Sequence, residues 1–221
     1  MCIRDRNQTG AECVAVAAQR TGARLIHIST DFVFDGDASR PYQPDDPTGP
    51  VSVYGLSKLE GERAVTATLP DQSLVIRTSW LYSTFGKNFV KTMLHLMHER
   101  NHLSVVADQI GAPTWAKTLS EAIWLAGRRK QLSGILHWCD SGAISWYDFA
   151  TAIRDEGIRL GLLKKSVRIA PIESAKYPTP AKRPRYSVLD TSQTSKLLDL
   201  QPPDWRDALR QMLEEYAGGV L

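Results

Sequence analysis

With 221 residues, 43% of them apolar and 23% charged, the chain is long enough to bury one full core and at most a small second lobe. A net charge of +3, with no basic run beyond Gly127-Arg128-Arg129-Lys130, gives no footprint for nucleic acid; no apolar run reaches membrane-spanning length and no signal peptide is visible. Three cysteines (Cys2, Cys13, Cys139), odd in number and far apart, argue for a reducing cytoplasm and against a disulfide scaffold or a zinc site.

The opening MCIRDR fits nothing that follows. Residues 10–20 (GAECVAVAAQR) have helical spacing, with Gly22 placed as a C-cap, and RLIHIST then reads as a buried strand. That strand ends in Ser29, Thr30 and Asp31, and in doubly wound sheets ligands sit at this carboxyl edge. Only 24 residues precede Leu25, fewer than one βαβ unit of about 30 residues requires, and the fifteen glycines contain no Gly-x-Gly. The chain is therefore expected to be a fragment.

Asp35-Gly36 marks a turn, and RPYQPDDPTGP a loop that its prolines keep extended. A helix is predicted from Tyr54 to about Thr68. Tyr54 and Lys58 stand four residues apart, on one helical face and about 6 Å apart along the axis. An ammonium one turn from a phenol favours the phenolate, so the spacing predicts a tyrosine pKa below its ordinary value of about 10. Such a pair suits proton transfer to a carbonyl under reduction by hydride, although Tyr-x-x-x-Lys alone is not specific.

SLVIRTS is the next buried strand, with Trp80 at its carboxyl edge. Residues 85–100 have the apolar spacing of a helix, placing Phe89, Met93, Leu94, Leu96 and Met97 inward. His98-Glu99-Arg100-Asn101-His102 matches a zinc pattern, but the helix is expected to end there with Asn101 as a cap, and no third ligand follows. LSVVAD reads as a strand, DQIGAPTWA as a loop, TLSEAIWLAGRRK as an amphipathic helix with a basic C-terminus, and GILHWCD as a strand. Ser145 and Asp148 form a capping-box start for WYDFATAIRDEGIRLG. VRIAPI is a short strand and YPTPAKRPRYSVLD a loop. Asp190-Thr191-Ser192 caps the SKLL helix, and the last helix begins near Asp204-Trp205. Arg183 and Arg185 are candidates for a diphosphate, because guanidinium forks match phosphate oxygens; ordinary surface charge is the other reading.

Taken together and in this order, STDFVFDG, SVYGLSKLEGE, VIRTSWLYS, VVADQIGAPTWA and AKRPRYSVLDTS resemble the dTDP-4-dehydrorhamnose reductase family of extended short-chain dehydrogenase/reductases. The resemblance runs from about Gly10 to the C-terminus. It implies an α/β fold: a Rossmann-like doubly wound parallel sheet, incomplete because the first βαβ units and the family's phosphate-binding turn are missing, with a small C-terminal substrate lobe. Residues 1–140 are expected to form the partial NAD(P)-binding domain and residues 141–221 mainly the substrate lobe, the two interleaved.

The implied reaction is reduction of the 4-ketone of dTDP-4-dehydro-L-rhamnose to dTDP-L-rhamnose, with hydride from NADPH or NADH, in the supply of polysaccharide precursors. Tyr54 would donate the proton, Lys58 would lower the Tyr54 pKa and bond the nicotinamide ribose, and Thr30 would bond the carbonyl oxygen. Asp31 and Trp80 would bind the sugar together with Thr30, and Ser29 would join Tyr54 and Lys58 at the cofactor. The resemblance also implies a cytoplasmic enzyme with a small nucleotide-sugar substrate, and it admits a homodimer and Mg²⁺ at a dimer contact, for which no carboxylate cluster offers a site. With its first units missing, the isolated chain is expected to be inactive, and the choice of NADPH over NADH is not legible. Two further readings stay open: a nucleotide-sugar epimerase or dehydratase, which shares the Tyr/Lys pair but usually differs around Thr30-Asp31, and a non-catalytic subunit like that regulating methionine adenosyltransferase.

Overall fold

The computed structural model describes residues 3–177 and 183–219, so that Cys2 and part of the YPTPAKRPRYSVLD loop lie outside it. In chain order the elements are α1 (Gly10–Thr21), β1 (Leu25–Thr30), α2 (Val53–Thr68), β2 (Ser73–Thr78), β3 (Leu81–Tyr82), α3 (Phe89–Glu99), β4 (His102–Val106), β5 (Ile110–Gly111) and β6 (Thr114–Trp115). There follow α4 (Ala116–Arg128), β7 (Gly134–His137), β8 (Ile144–Ser145), α5 (Trp146–Arg159), β9 (Arg168–Ile172), α6 (Ser192–Leu198) and α7 (Trp205–Gly219).

The central sheet has the order β1-β2-β7 and is parallel throughout, in a register that sets Thr30 beside Thr78 and Arg77 beside His137. All three carboxyl ends therefore meet along one edge. Strand β2 is buried at every residue, as an apolar strand covered on both faces must be. On one side α1 and α2 pack through Ala11, Ala15, Val65 and Leu69; another cluster joins α4 to the sheet through Leu119, Ala122, Ala126, Leu74, Ile76 and Leu136. Strand β1 is less buried than its apolar run suggests: only Ser29 and Thr30 are fully covered, because among the described residues β1 has a partner strand on one side alone.

A second core gathers α3, α5 and α7 around the parallel pair β4–β9, with Phe149, Ile153, Met97, Leu209 and Met212 at its centre. Helix α5 starts where Ser145 and Asp148 predict, their side chains and backbones bonding reciprocally. Helix α3 begins later than its apolar spacing suggests. Asn88 caps it, accepting from Lys91 N, and residues 85–88 form a turn with Gly86 at φ 65° and Phe85 exposed. It ends at Glu99, which pairs with His95 at 3.3 Å, and His102 opens β4, so the two histidines of the zinc-like pattern do not share a helical face. DQIGAPTWA is not wholly loop. Its two-residue strands β5 and β6 pair with β8 and β3, and strands that short show no alternation in sequence. At α6 the cap is Asp190, whose carboxylate accepts from Ser192 N at 2.8 Å, while the Thr191 side chain makes no capping bond.

The proline-rich loop is fastened by Tyr42. Its ring stacks on Phe34 at 4.2 Å, its hydroxyl donates to Asp35 at 2.6 Å and accepts from Gly36 N, and its carbonyl accepts from His137 Nδ1 at 3.0 Å.

Candidate active site

Strand β1 delivers Thr30 and Asp31 to the carboxyl edge of the sheet. There Thr30 caps a single 3₁₀ turn (Asp31–Val33), accepting from Phe32 N at 3.2 Å and donating to Asp31 Oδ1 at 3.0 Å. Asp31 is 2% exposed, and burial raises its carboxyl to about 6, against the pull of hydrogen bonds from Ser187, Thr30 and the turn's own backbone.

Helix α2 is pressed onto that turn. Ser52 caps it through Gly55 N at 3.1 Å, and a Cβ on Gly55 would lie 2.0 Å from the Phe32 carbonyl oxygen, so only glycine permits the approach. The result sets the Tyr54 ring edge-on to Phe32 at 5.8 Å and its hydroxyl against Thr30. Tyr54 keeps 38% of its surface exposed and so is not part of the packed core.

Its electrostatics differ from the expectation. Burial of the hydroxyl raises the phenol pKa, Thr30 opposes this and the Asp31 carboxylate adds to it, while Lys58 is not among the influences. Lys58 shares the helical face but donates to the Ile28 carbonyl of β1 at 2.5 Å. Its own pKa is lowered by burial, with Glu62 one turn further along acting to raise it.

Glu62 belongs to a buried clamp that sequence reasoning missed. Arg77 of β2 meets it through two bonds of 3.0 and 2.8 Å, donates a third to Pro44 O at 3.2 Å, and lies 5.0 Å above the Phe34 ring. Both partners are almost fully buried. The available signal was an arginine inside an otherwise apolar strand, which needs a buried acid as counter-ion.

Trp80 follows β2 with φ 45°, a left-handed conformation that costs a bulky residue about 1–3 kcal/mol and concentrates at functional sites. Its indole stacks on Trp146 at 3.5 Å and 9°, and lies so close to Gly111 that a Cβ there would be 2.6 Å away. Trp80, Trp146, Phe32, Arg183 and Ser187 wall a cavity of about 10 Å³. A larger cleft of about 710 Å³, within the range of small-molecule sites, shares Trp146 and Arg183 and adds Arg185, Tyr177, Leu96 and Val105. Both arginines singled out from the sequence therefore face one cleft. Trp146 carried no motif that would have marked it, and Ser187 and Gly55, though inside the strings that carry the resemblance, were assigned no role.

The chain matches the family model for the RmlD substrate binding domain over residues 4–217. It belongs to this family. Its relatives include the dTDP-4-dehydrorhamnose reductase of Salmonella typhimurium, 40% identical over 213 residues, and that of Escherichia coli K12, 39% identical over the same length; each alignment covers 95% of this chain and 71% of the relative. The Bacillus subtilis spore coat polysaccharide biosynthesis protein SpsK is 42% identical over 210 residues. Among solved structures, the dTDP-4-dehydrorhamnose reductase of Bacillus anthracis in complex with NADP superposes with a TM-score of 0.87 at 38% identity, covering 95% of this chain and 72% of that one. A dTDP-glucose 4,6-dehydratase from Streptomyces venezuelae, at 17% identity and TM-score 0.79, shares the fold alone. The resemblance read from the sequence and the Rossmann-like α/β fold are thus both borne out.

The family member from Bacillus anthracis is in complex with NADP, and the carboxyl edge here offers polar groups that fit such a cofactor. Ser29 Oγ is buried without a partner at the carboxyl edge, and Lys58 Nζ bonds the neighbouring backbone of β1. Mg²⁺ finds no such support: among the described residues no group of three or more His, Cys, Asp or Glu could hold a metal ion. No helix among them is long and apolar enough to cross a membrane.

Proposed function

We propose that this chain carries the catalytic face of an NADPH-dependent reductase that converts the 4-ketone of dTDP-4-dehydro-L-rhamnose to the alcohol of dTDP-L-rhamnose. The observation that carries this reading is the apposition of a partly exposed Tyr54 and Thr30 at the carboxyl edge of β1, in a chain about 40% identical to reductases of that name. NADPH, when bound, supplies the hydride. The raised pKa keeps the Tyr54 phenol protonated at neutral pH, ready to give its proton to the ketone oxygen as negative charge develops there. The Thr30 hydroxyl, on turning from Asp31 Oδ1, offers that oxygen a second hydrogen bond, and Asp31 and Trp80 hold the sugar ring. Lys58, which donates to the Ile28 carbonyl, and Ser29 beside it would hold the ribose of the cofactor, and the Lys58 ammonium would compensate the phenolate left after proton transfer.

The division of labour follows the two cores. The β1-β2-β7 sheet serves the cofactor, and the lobe around β4 and β9 serves the nucleotide, with Arg183 and Arg185 on the diphosphate in the cleft of about 710 Å³. The test is NADPH oxidation with dTDP-4-dehydrorhamnose by the protein that carries this chain, compared with Tyr54→Phe. Loss of the general acid is expected to cost about 100-fold or more in kcat, and a loss of no more than about threefold would remove Tyr54 from the chemistry. Turnover of a nucleotide sugar without net NADPH consumption would point to an epimerase instead.

A further inference from the structure

Trp146 makes the tightest ring contact in the site, 3.5 Å from Trp80 and within 9° of parallel, and no sequence motif accounts for it. It is held rigidly. As the first residue of α5 it follows the capping box of Ser145 and Asp148, Ser145 is paired to Ile110 of β5, and Phe89 packs against its ring at 4.6 Å. Trp80 stands between β2 and β3 in a left-handed backbone conformation, its carbonyl accepting from Thr114 N at 3.3 Å, its ring 6.5 Å from Phe149 and lying against the bare Cα of Gly111. Both indoles wall the small cavity that also contains Phe32 and Ser187, and Ser187 in turn bonds Asp31. Trp146 extends further, into the wall of the large cleft, where Trp80 takes no part.

We propose that Trp146 is a positioning residue for the sugar. Its indole, with Gly111, fixes the attitude of Trp80, so that Trp80 presents its remaining apolar surface to the C–H face of the hexose while the nucleoside diphosphate lies in the cleft beyond. This rests on the reductase reading above and adds to it a specificity element: discrimination of the sugar ring acts through a pair of stacked rings, one touching the ring and one aiming it.

The experiment compares Trp146→Ala, Trp146→Phe, Trp80→Ala and the double alanine variant in the protein that carries this chain, with dTDP-4-dehydrorhamnose and NADPH. Trp146→Ala is expected to raise KM for the nucleotide sugar about tenfold, the upper end for an aromatic pair, while leaving binding of dTDP alone within about threefold. Trp146→Phe, which restores a stacking partner, should recover most of the loss. The double variant should be no worse than Trp80→Ala, because Trp146 acts only through Trp80. Gly111→Ala, whose added methyl would lie 2.6 Å from the Trp80 indole and so displace it, should reproduce the KM rise with Trp146 intact, so the assignment stays testable even if Trp146→Ala does not fold. Multiplicative losses in the double variant, equal weakening of dTDP and the nucleotide sugar, or unchanged KM in both Gly111→Ala and Trp146→Ala would each overturn it. Wild-type protein that oxidises no NADPH with this substrate would instead overturn the reductase reading itself.

Discussion

Replacing Gly55 by alanine tests the geometry of the site at its tightest point. The added methyl would lie 2.0 Å from the Phe32 carbonyl oxygen and 3.1 Å from Pro50 Cβ. The first neighbour is backbone, which cannot rotate aside, so relief requires the start of α2 and the turn at Asp31–Val33 to part by about 1 Å, and a misplacement of that size can cost about 100-fold in rate. Overpacking of this kind also costs about 1–3 kcal/mol in stability, against the gain of about 0.5–1 kcal/mol that alanine brings to a helix. Gly127→Ala in α4 is the control, because its nearest neighbour, Ile26 Cδ1, would be 3.9 Å away. Steady-state NADPH oxidation and urea unfolding of both variants separate the effects. Gly127→Ala should be active and slightly stabilised, and Gly55→Ala should be slow and destabilised. A Gly55→Ala protein with parental kcat would refute the claim that contact between α2 and the 31–33 turn sets Tyr54 against Thr30.

The buried clamp predicts that Arg77→Met, which leaves the Glu62 carboxylate without its partner, costs about 3–5 kcal/mol in urea unfolding, and that adding Glu62→Leu recovers a large part. A single variant of parental stability would remove the clamp from the account. His137 is depressed to about 3 by burial first and by Arg77 second, so the unfolded chain takes up a proton near pH 6.5 that the native state refuses. Stability should therefore fall by about 2 kcal/mol from this group between pH 7 and 5, and His137→Gln should lose that dependence. Asp31 and Asp140, raised by burial to about 6 and about 7, act in the opposite sense, favouring the native state in acid and losing that contribution as pH rises. The comparison is thus between variant and parent in guanidinium chloride melts at the two pH values, and parallel pH dependences would contradict it. For kcat/KM, the raised Tyr54 pKa places the alkaline loss of activity above about pH 10, the ordinary tyrosine value. A falling limb centred near neutrality would show that the phenol titrates low in the free enzyme.

What the sequence disclosed and what it withheld divide along a physical line. The capping box at Ser145 and Asp148, the left-handed end of α1 at Gly22 (φ 66°) and the short apolar run Leu74-Val75-Ile76 of β2 follow rules that act over a few residues, and each stands where those rules put it. The placing of Thr30 and Asp31 at a strand end beside Tyr54 also follows from the one-dimensional pattern, because a parallel sheet gathers its carboxyl ends along one edge. Partners distant in sequence were not legible. Nothing local tells that Arg77 meets Glu62, that Trp146 lies against Trp80, or that Gly55 and Gly111 are tight approaches of other segments. The direction of the Tyr54 shift failed for the same reason. The i, i+4 spacing sets where Lys58 stands, but burial, the Asp31 carboxylate and the Ile28 carbonyl decide what phenol and ammonium respond to.

Tyr42 has a consequence for when the proline-rich segment becomes ordered. One residue joins the proline-rich segment, through its ring and hydroxyl, to Phe34 beneath it and Asp35 at its base, and, through its backbone, to His137 on the far strand and by a bridge at Leu189 to the chain ahead of α6. A segment moored at so many points is ordered once, when the protein folds, and not again at each turnover. The segment therefore stands formed before any ligand arrives, and no binding energy is consumed in ordering it.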